Sequence, residues 1–196
     1  MRLTLNHNTV NGGQMLDDAV RKAVMSGIDD PSDAVIPAWT SLYRVAHQRR
    51  YNDATGQYTV NPPEAAFASS WWSTHYDFNA ALWATDYADM ANTGRATFAI
   101  HPMWHGDCSN FASITLETDV SVWYGLGKIV HGTDPVTQQP LSAHPSKNVL
   151  QIYIPGFAAN HAKWASNERV MAFEKNLQNR RGFQGNLPLG LRPDSV

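Results

Sequence analysis

Residues Ser69–Pro102 read SSWWSTHYDFNAALWATDYADMANTGRATFAIHP, and their patterning decides the fold class. Ala80/Ala81, Trp83/Ala84, Tyr87/Ala88 and Ala91 recur at 3.6-residue spacing, which predicts an amphipathic helix over Asp77–Asn92 with Gly94 closing it. Ala96–His101 then reads as a β-branched and aromatic strand stopped by Pro102, and Ala65–Trp72 as a strand before the helix. The segment therefore predicts a strand–helix–strand unit, with Trp83 and Tyr87 on the helix's buried face.

Upstream, Gln14–Ser26 places Leu16, Ala19/Val20 and Ala23/Val24 at helical spacing behind Asp17-Asp18, with Gly27 as a C-cap. Asp29–Pro37 holds two prolines and three aspartates and reads as turns. Trp39–His47 reads as a strand carrying Arg44, and Arg49–Pro63 as a long loop or hairpin. Downstream, Ser113–Val122 alternates Ile114, Leu116, Val120 and Val122 against Thr115, Glu117, Asp119 and Ser121, the pattern of one half-buried strand. Gly127–His131 and Val149–Ile154 are two further strands. Asn160–Arg180 reads as a second long helix with Trp164, Val170/Met171, Phe173 and Leu177 inward. The expected architecture is α+β, a mostly antiparallel sheet core with flanking helices. Residues 1–181 form one domain and Gly182–Val196 a Gly/Pro-rich arm, through which the chain could form a homo-oligomer.

The 196 residues are 43% apolar and 16% charged, enough for a real core and against wholesale disorder. Net charge is −2 and no basic block exceeds the pairs Arg49-Arg50 and Arg180-Arg181, which argues against a nucleic-acid-coating role. Cys108 is the single cysteine, so an internal disulfide framework is excluded and a reducing compartment fits. MRLTLNHNTVNGG lacks a signal-peptide pattern, and no apolar run approaches the ~20 residues that cross a bilayer. These features predict a cytoplasmic protein with no membrane partner, leaving signal-independent export open.

Tyr43-Arg44 in SLYRV, Ser73-Thr74 before a helix, and Gly94-Arg95 leading into TFAIHP occur in that order over Ser41–Val122. The order resembles the core of mono-ADP-ribosyltransferases of the Arg/Ser-Thr-Ser/Glu type, as found in bacterial toxins and effectors. The resemblance implies an ADP-ribosyltransferase-like fold, NAD as substrate, no metal, and a protein or small-molecule acceptor; hydrolysis of NAD is the variant without an acceptor. It implies that Arg44, Thr74, Tyr76 and Trp83 hold NAD, while Ser73 and either Glu117 or Asp119 serve catalysis. The carboxylate's task is electrostatic, because positive charge develops at the ribosyl carbon as nicotinamide leaves. His75 stands where the third Ser is expected. A second register places the carboxylate-bearing element in His144–Gly156, HPSKNVLQIYIPG, which has no carboxylate; the chain would then be a degenerate, non-transferring relative.

GDCSNFAS at Gly106–Ser113 resembles instead the nucleophile segment of NlpC-type, papain-like amidases. That resemblance implies Cys108 at the start of a helix, whose dipole lowers the thiol pKa, with His131 or His144 as base. The β-like ITLETDVSV that follows departs from this pattern. His101, His105, Asp107, Cys108 and His131 have metal-ligand chemistry, but Pro102 and Gly106 break any helix that would align the first two. Three functions thus remain open: an NAD-dependent transferase, a Cys108/His131 amidase or peptidase, and a non-enzymatic binding or assembly module.

Overall fold

A computed structural model describes residues 18–52, 54–78, 90–104, 106–134, 137–145 and 148–172. In chain order the elements are α1 (Asp18–Gly27), β1 (Ile28–Ile36), β2 (Ser41–Ala46), β3 (Arg49–Asn52), β4 (Gln57–Val60), β5 (Trp71–Thr74) and α2 (Met90–Thr97). They continue with β6 (Asn110–Leu116), β7 (Val120–Gly127), β8 (Val130–Thr133), β9 (Pro140–Ala143), β10 (Leu150–Tyr153), α3 (Phe157–Trp164) and β11 (Ala165–Ala172). Seven strands form one antiparallel sheet in the order β1-β7-β10-β5-β2-β6-β11, and β3-β4 and β8-β9 are separate hairpins. The α+β class with a mostly antiparallel sheet and flanking helices is as expected from the sequence. No helix among the described residues is long and apolar enough to cross a membrane.

β6 and β7 are joined by only Glu117–Asp119, yet they sit four positions apart in the sheet. Four strand spacings measure roughly 19 Å in a flat sheet. The backbone from Leu116 to Val120 reaches at most about 15 Å. The sheet therefore curls, and its inner face closes on itself. Leu42, Trp72, Ile114, Leu116, Val122 and Phe157 meet there in a single apolar cluster, all nearly inaccessible. The outer face has its own aromatic layer, in which Phe78 lies 5.7 Å from Tyr43 and 5.9 Å from both Phe98 and Phe111, ring to ring. α2 packs closely on that face: a Cβ on Gly94 would sit 2.8 Å from the Val45 side chain.

Several expectations are corrected. Asp29–Pro37 is not a run of turns, because Ile28–Ile36 forms the edge strand β1, where Pro31 costs no ladder bond that a second neighbour needs. A bulge between Asp29 and Ser32, with Asp30 at φ 45°, absorbs the irregularity. In place of a strand over Ala65–Trp72 there is a 3₁₀ turn, Pro63–Ala66, opened by its proline, and the strand starts only at Trp71. The helix does not end at Gly94 but at Thr97; Ala99 at φ 49° turns the chain, so Ala96–His101 is no strand. Ser113–Val122 is two strands and a corner. The alternation stays in phase across Glu117–Asp119, so Ile114, Leu116, Val120 and Val122 all point inward and periodicity alone shows no break. The sheet strand ends at Gly127, and Val130–Thr133 begins a separate hairpin. Finally, the helix expected over Asn160–Arg180 stops at Trp164. Residues 165–172 are an edge strand on β6, with Asn167 at φ 51° inside a bulge. Residues 75–78 are helical. The middle of the expected Asp77–Asn92 helix, with Trp83 and Tyr87, lies outside the described residues, as do Phe173, Leu177 and the C-terminal arm.

Candidate functional site

A fork in the sheet creates a cavity. β2 and β5 pair through only Leu42↔Thr74 and Tyr43↔Ser73, after which β2 continues against β6, and β5 against β10. At the foot of the fork, Thr74 caps the helical turn 75–78. Its hydroxyl donates to the Asp77 carboxylate and accepts the Asp77 N–H at 3.1 Å. The other carboxylate oxygen of Asp77, 8% exposed, accepts the Leu150 N–H at 3.0 Å, which fixes the start of β10. β10 pairs Ile152 with Trp72, so Gln151 falls opposite Ser73, on the outer face. Its Nε2 donates to the Phe98 carbonyl at 3.2 Å.

The cavity over this fork measures about 840 Å³, within the usual range for small-molecule sites. Its floor and sides are apolar and aromatic, notably Trp71, Trp72, Phe98 and Trp104. The ionisable residues on its wall are Arg44, Arg50, Lys128, His47 and His131; among the described residues no carboxylate lines it. In a chain with net charge −2, this is a local basic pocket, whose side chains suit an anionic ligand.

Arg44 is the most confined of these groups. Its guanidinium lies 5.7 Å over the Trp72 ring, Nη1 donates to the Ala66 carbonyl at 3.0 Å, and Nε to the Val45 carbonyl at 3.3 Å. Burial lowers its pKa to about 10, partly offset by the nearby Cys108 group. It remains a cation at neutral pH and has no carboxylate partner among the described residues. Strand alternation sends Arg44 with Trp72 to the inner side of the sheet, and Tyr43 with Ser73 to the outer side. Arg44 and Ser73 are thus neighbours on opposite sides, and both border the cavity where the strands part.

The remaining expected site residues do not gather there. Glu117 accepts a hydrogen bond from the Ser166 hydroxyl, and Asp119 accepts the Ala38 N–H at 2.8 Å. Both lie in the corner between β6 and β7 rather than on one strand face with Thr115. The residue opposite Arg44 is Ala112, so Glu117 is roughly 16 Å further along that strand line. Tyr76 is 79% exposed. Trp83 lies outside the described residues.

Cys108 does not open a helix. It precedes β6 in irregular chain with a left-handed φ of 52°, is fully buried, and is not on the cavity wall. Burial pushes its thiol up to about 11, against the lowering effect of Arg95, so the nucleophilic thiolate is scarce at neutral pH. Its neighbour is His47, whose Nδ1 accepts the Cys108 N–H at 3.0 Å. His131 is exposed on β8, beside Ser142 Oγ at 2.8 Å, and His144 is exposed after β9. Asp107 ties the chain down by accepting the N–H groups of Gln48 (2.9 Å), Arg49 (3.0 Å) and Ser109 (3.3 Å). His101 is buried with both ring nitrogens engaged, Nδ1 by the Met103 N–H at 3.0 Å and Nε2 at the Leu141 carbonyl at 3.1 Å. His105 lies outside the described residues, and the described ones hold no cluster of three metal-ligating side chains.

Gln151, His47, Arg50, Lys128 and Trp71 escape a reading based on motifs. The one usable signal is Gln151, a lone polar residue within the apolar run Val149–Ile154. Compared with protein families, curated proteins and solved structures, the chain matches none.

Proposed function

We propose that the protein binds a nicotinamide dinucleotide of the NAD class in the fork cavity and does not transfer its ADP-ribose, as a degenerate relative of the ADP-ribosyltransferases. The observation that carries this reading is the adjacency of three strands. β10, β5 and β2 lie side by side in that order, bringing Gln151, Ser73 and Arg44 to one cavity. They are the strands on which the resemblance, in its second register, sets the carboxylate position, the Ser-Thr pair and the Arg. That register names no residue at the carboxylate position; we assign it to Gln151, which lies opposite Ser73 and borders the cavity.

The chemistry follows from the wall. Aromatic rings suit the flat nicotinamide and adenine, and cations suit the pyrophosphate. Gln151 is neutral, and an amide gives far less stabilisation than a carboxylate to the positive charge of a departing-nicotinamide transition state. Binding without turnover is the consequence, so the transferase and binding-module expectations merge into one.

Nicotinamide release from NAD is the test. Wild-type protein should bind NAD and release nicotinamide no faster than buffer. Gln151→Glu should raise release by roughly 10²-fold or more, the size of effect typical of a preorganised charge-stabilising group. Enzymatic release by the wild type contradicts the non-transferring assignment, and absence of NAD binding contradicts the whole reading.

A further inference from the structure

The cavity's basic side chains fall into two groups carried by different elements. Arg44 and Arg50 come from β2 and β3. Lys128 and His131 come from the link after β7 and from β8. β7 and β2 are three positions apart in the sheet, a separation of roughly 14 Å before side chains reach inward. The aromatic floor, with Trp71 and Phe98, lies between them. A single pyrophosphate occupies one such pole and leaves the other with no anionic group to meet.

Each pole is held in place. Arg50 Nε donates to the Trp104 carbonyl at 3.1 Å, which joins the β3 wall to the 3₁₀ turn Pro102–Trp104. Across the cavity, the Lys128 N–H donates to the Gly27 carbonyl at 2.9 Å and its Nζ to the Met25 carbonyl at 3.2 Å, anchoring it on the end of α1. An ammonium has three donors, and one is used in this way. The His131 ring is held by Ser142 across the β8–β9 hairpin. That hairpin is seated in turn by His101 Nε2 at the Leu141 carbonyl and by Gly132 packed against Met103.

From this two-pole geometry we infer that the cavity recognises a dinucleotide bearing a second phosphate remote from its pyrophosphate, with Lys128 and His131 as the residues that select it. The inference rests on the dinucleotide reading above and adds the ligand's phosphorylation state to it. A phosphate at the second pole gains charge-assisted hydrogen bonds that an unphosphorylated ribose does not.

Calorimetric titration of the full chain with NAD and, separately, with its 2′-phosphorylated counterpart NADP tests this. NADP should bind about 10- to 100-fold more tightly, the effect expected for hydrogen bonds to a charged group. Lys128→Gln and His131→Asn should each shrink that ratio toward one by weakening NADP binding more than NAD binding. Arg50→Gln should weaken both ligands together. If NAD binds and NADP binds no better, the second pole is not a phosphate site and only this inference falls. If neither ligand binds, the dinucleotide reading falls with it. A NADP preference that survives both Lys128→Gln and His131→Asn also overturns the assignment.

Discussion

His47 shows how burial and charge act on one side chain. It is enclosed between β2 and Gly106, where an added Cβ would overlap its ring, and it accepts the backbone N–H of Cys108. Burial lowers its pKa to about 4, helped by the charges of Arg44 and Arg95 and opposed by Asp107. The folded protein therefore holds His47 neutral where the unfolded chain protonates it near pH 6.5. Between those values the unfolded state binds more protons, so stability falls as pH drops through that window. This residue alone should make the protein about 2 kcal/mol less stable at pH 5 than at pH 7, at 1.36 kcal/mol per pKa unit. Urea unfolding at both pH values measures it, and His47→Gln should flatten the difference. An unchanged pH slope in the variant would mean that other groups carry it. Asp107 is the local anchor, and Asp107→Ala should cost about 2–3 kcal/mol by stranding three backbone donors. A loss below about 1 kcal/mol in the same unfolding experiment would show that water replaces the carboxylate.

At the scale of elements, what was legible in the sequence is what local rules control. The Ser41–Ala46 strand, the Arg49–Pro63 hairpin, the start of the Leu150–Tyr153 strand and the C-terminal end of α1 follow from alternation, turn residues and a closing glycine. The Thr74 cap is also a local pattern, Thr-X-X-Asp before a helical turn. The failures share a cause: pairing partners lie far away in sequence. Nothing local shows that Pro31 sits on an edge strand, or that Val170 and Met171 complete a strand against Ala112 and Phe111 and not a helix. Nor does any local rule show that Glu117–Asp119 is a corner. The site was half legible for the same reason: the motifs marked β2 and β5, but only the sheet order reveals that Gln151 lies beside them. Asp77 is the joint that makes this so. Asp77→Ala removes the acceptor of both the Thr74 hydroxyl and the Leu150 N–H and should cost about 2–3 kcal/mol in denaturant unfolding. Amide exchange at Leu150 should accelerate at the same time. Unchanged exchange there would show that β10 is held by its ladder bonds alone.

Over the whole molecule, a curled sheet has one apolar face turned inward, and on the other Phe78, Phe98 and α2 pack. The cavity opens where the sheet splits. Trp72 belongs to both regions, since it stacks edge-on against Phe157 at 5.5 Å in the core and borders the fork. Trp72→Ala should therefore cost about 3–5 kcal/mol, as truncation of a buried aromatic does, and the same unfolding measurement returns that value. The central claim is that the fork cavity takes a dinucleotide, and a heteronuclear NMR titration of the full chain with NAD tests it most directly. The account predicts saturable shifts concentrated at Val45, Ser73, Phe98, Ile129 and Gln151, with the corner Glu117–Asp119 unmoved. Shifts centred on Glu117 and Asp119, or no saturable shift at any position, would contradict it.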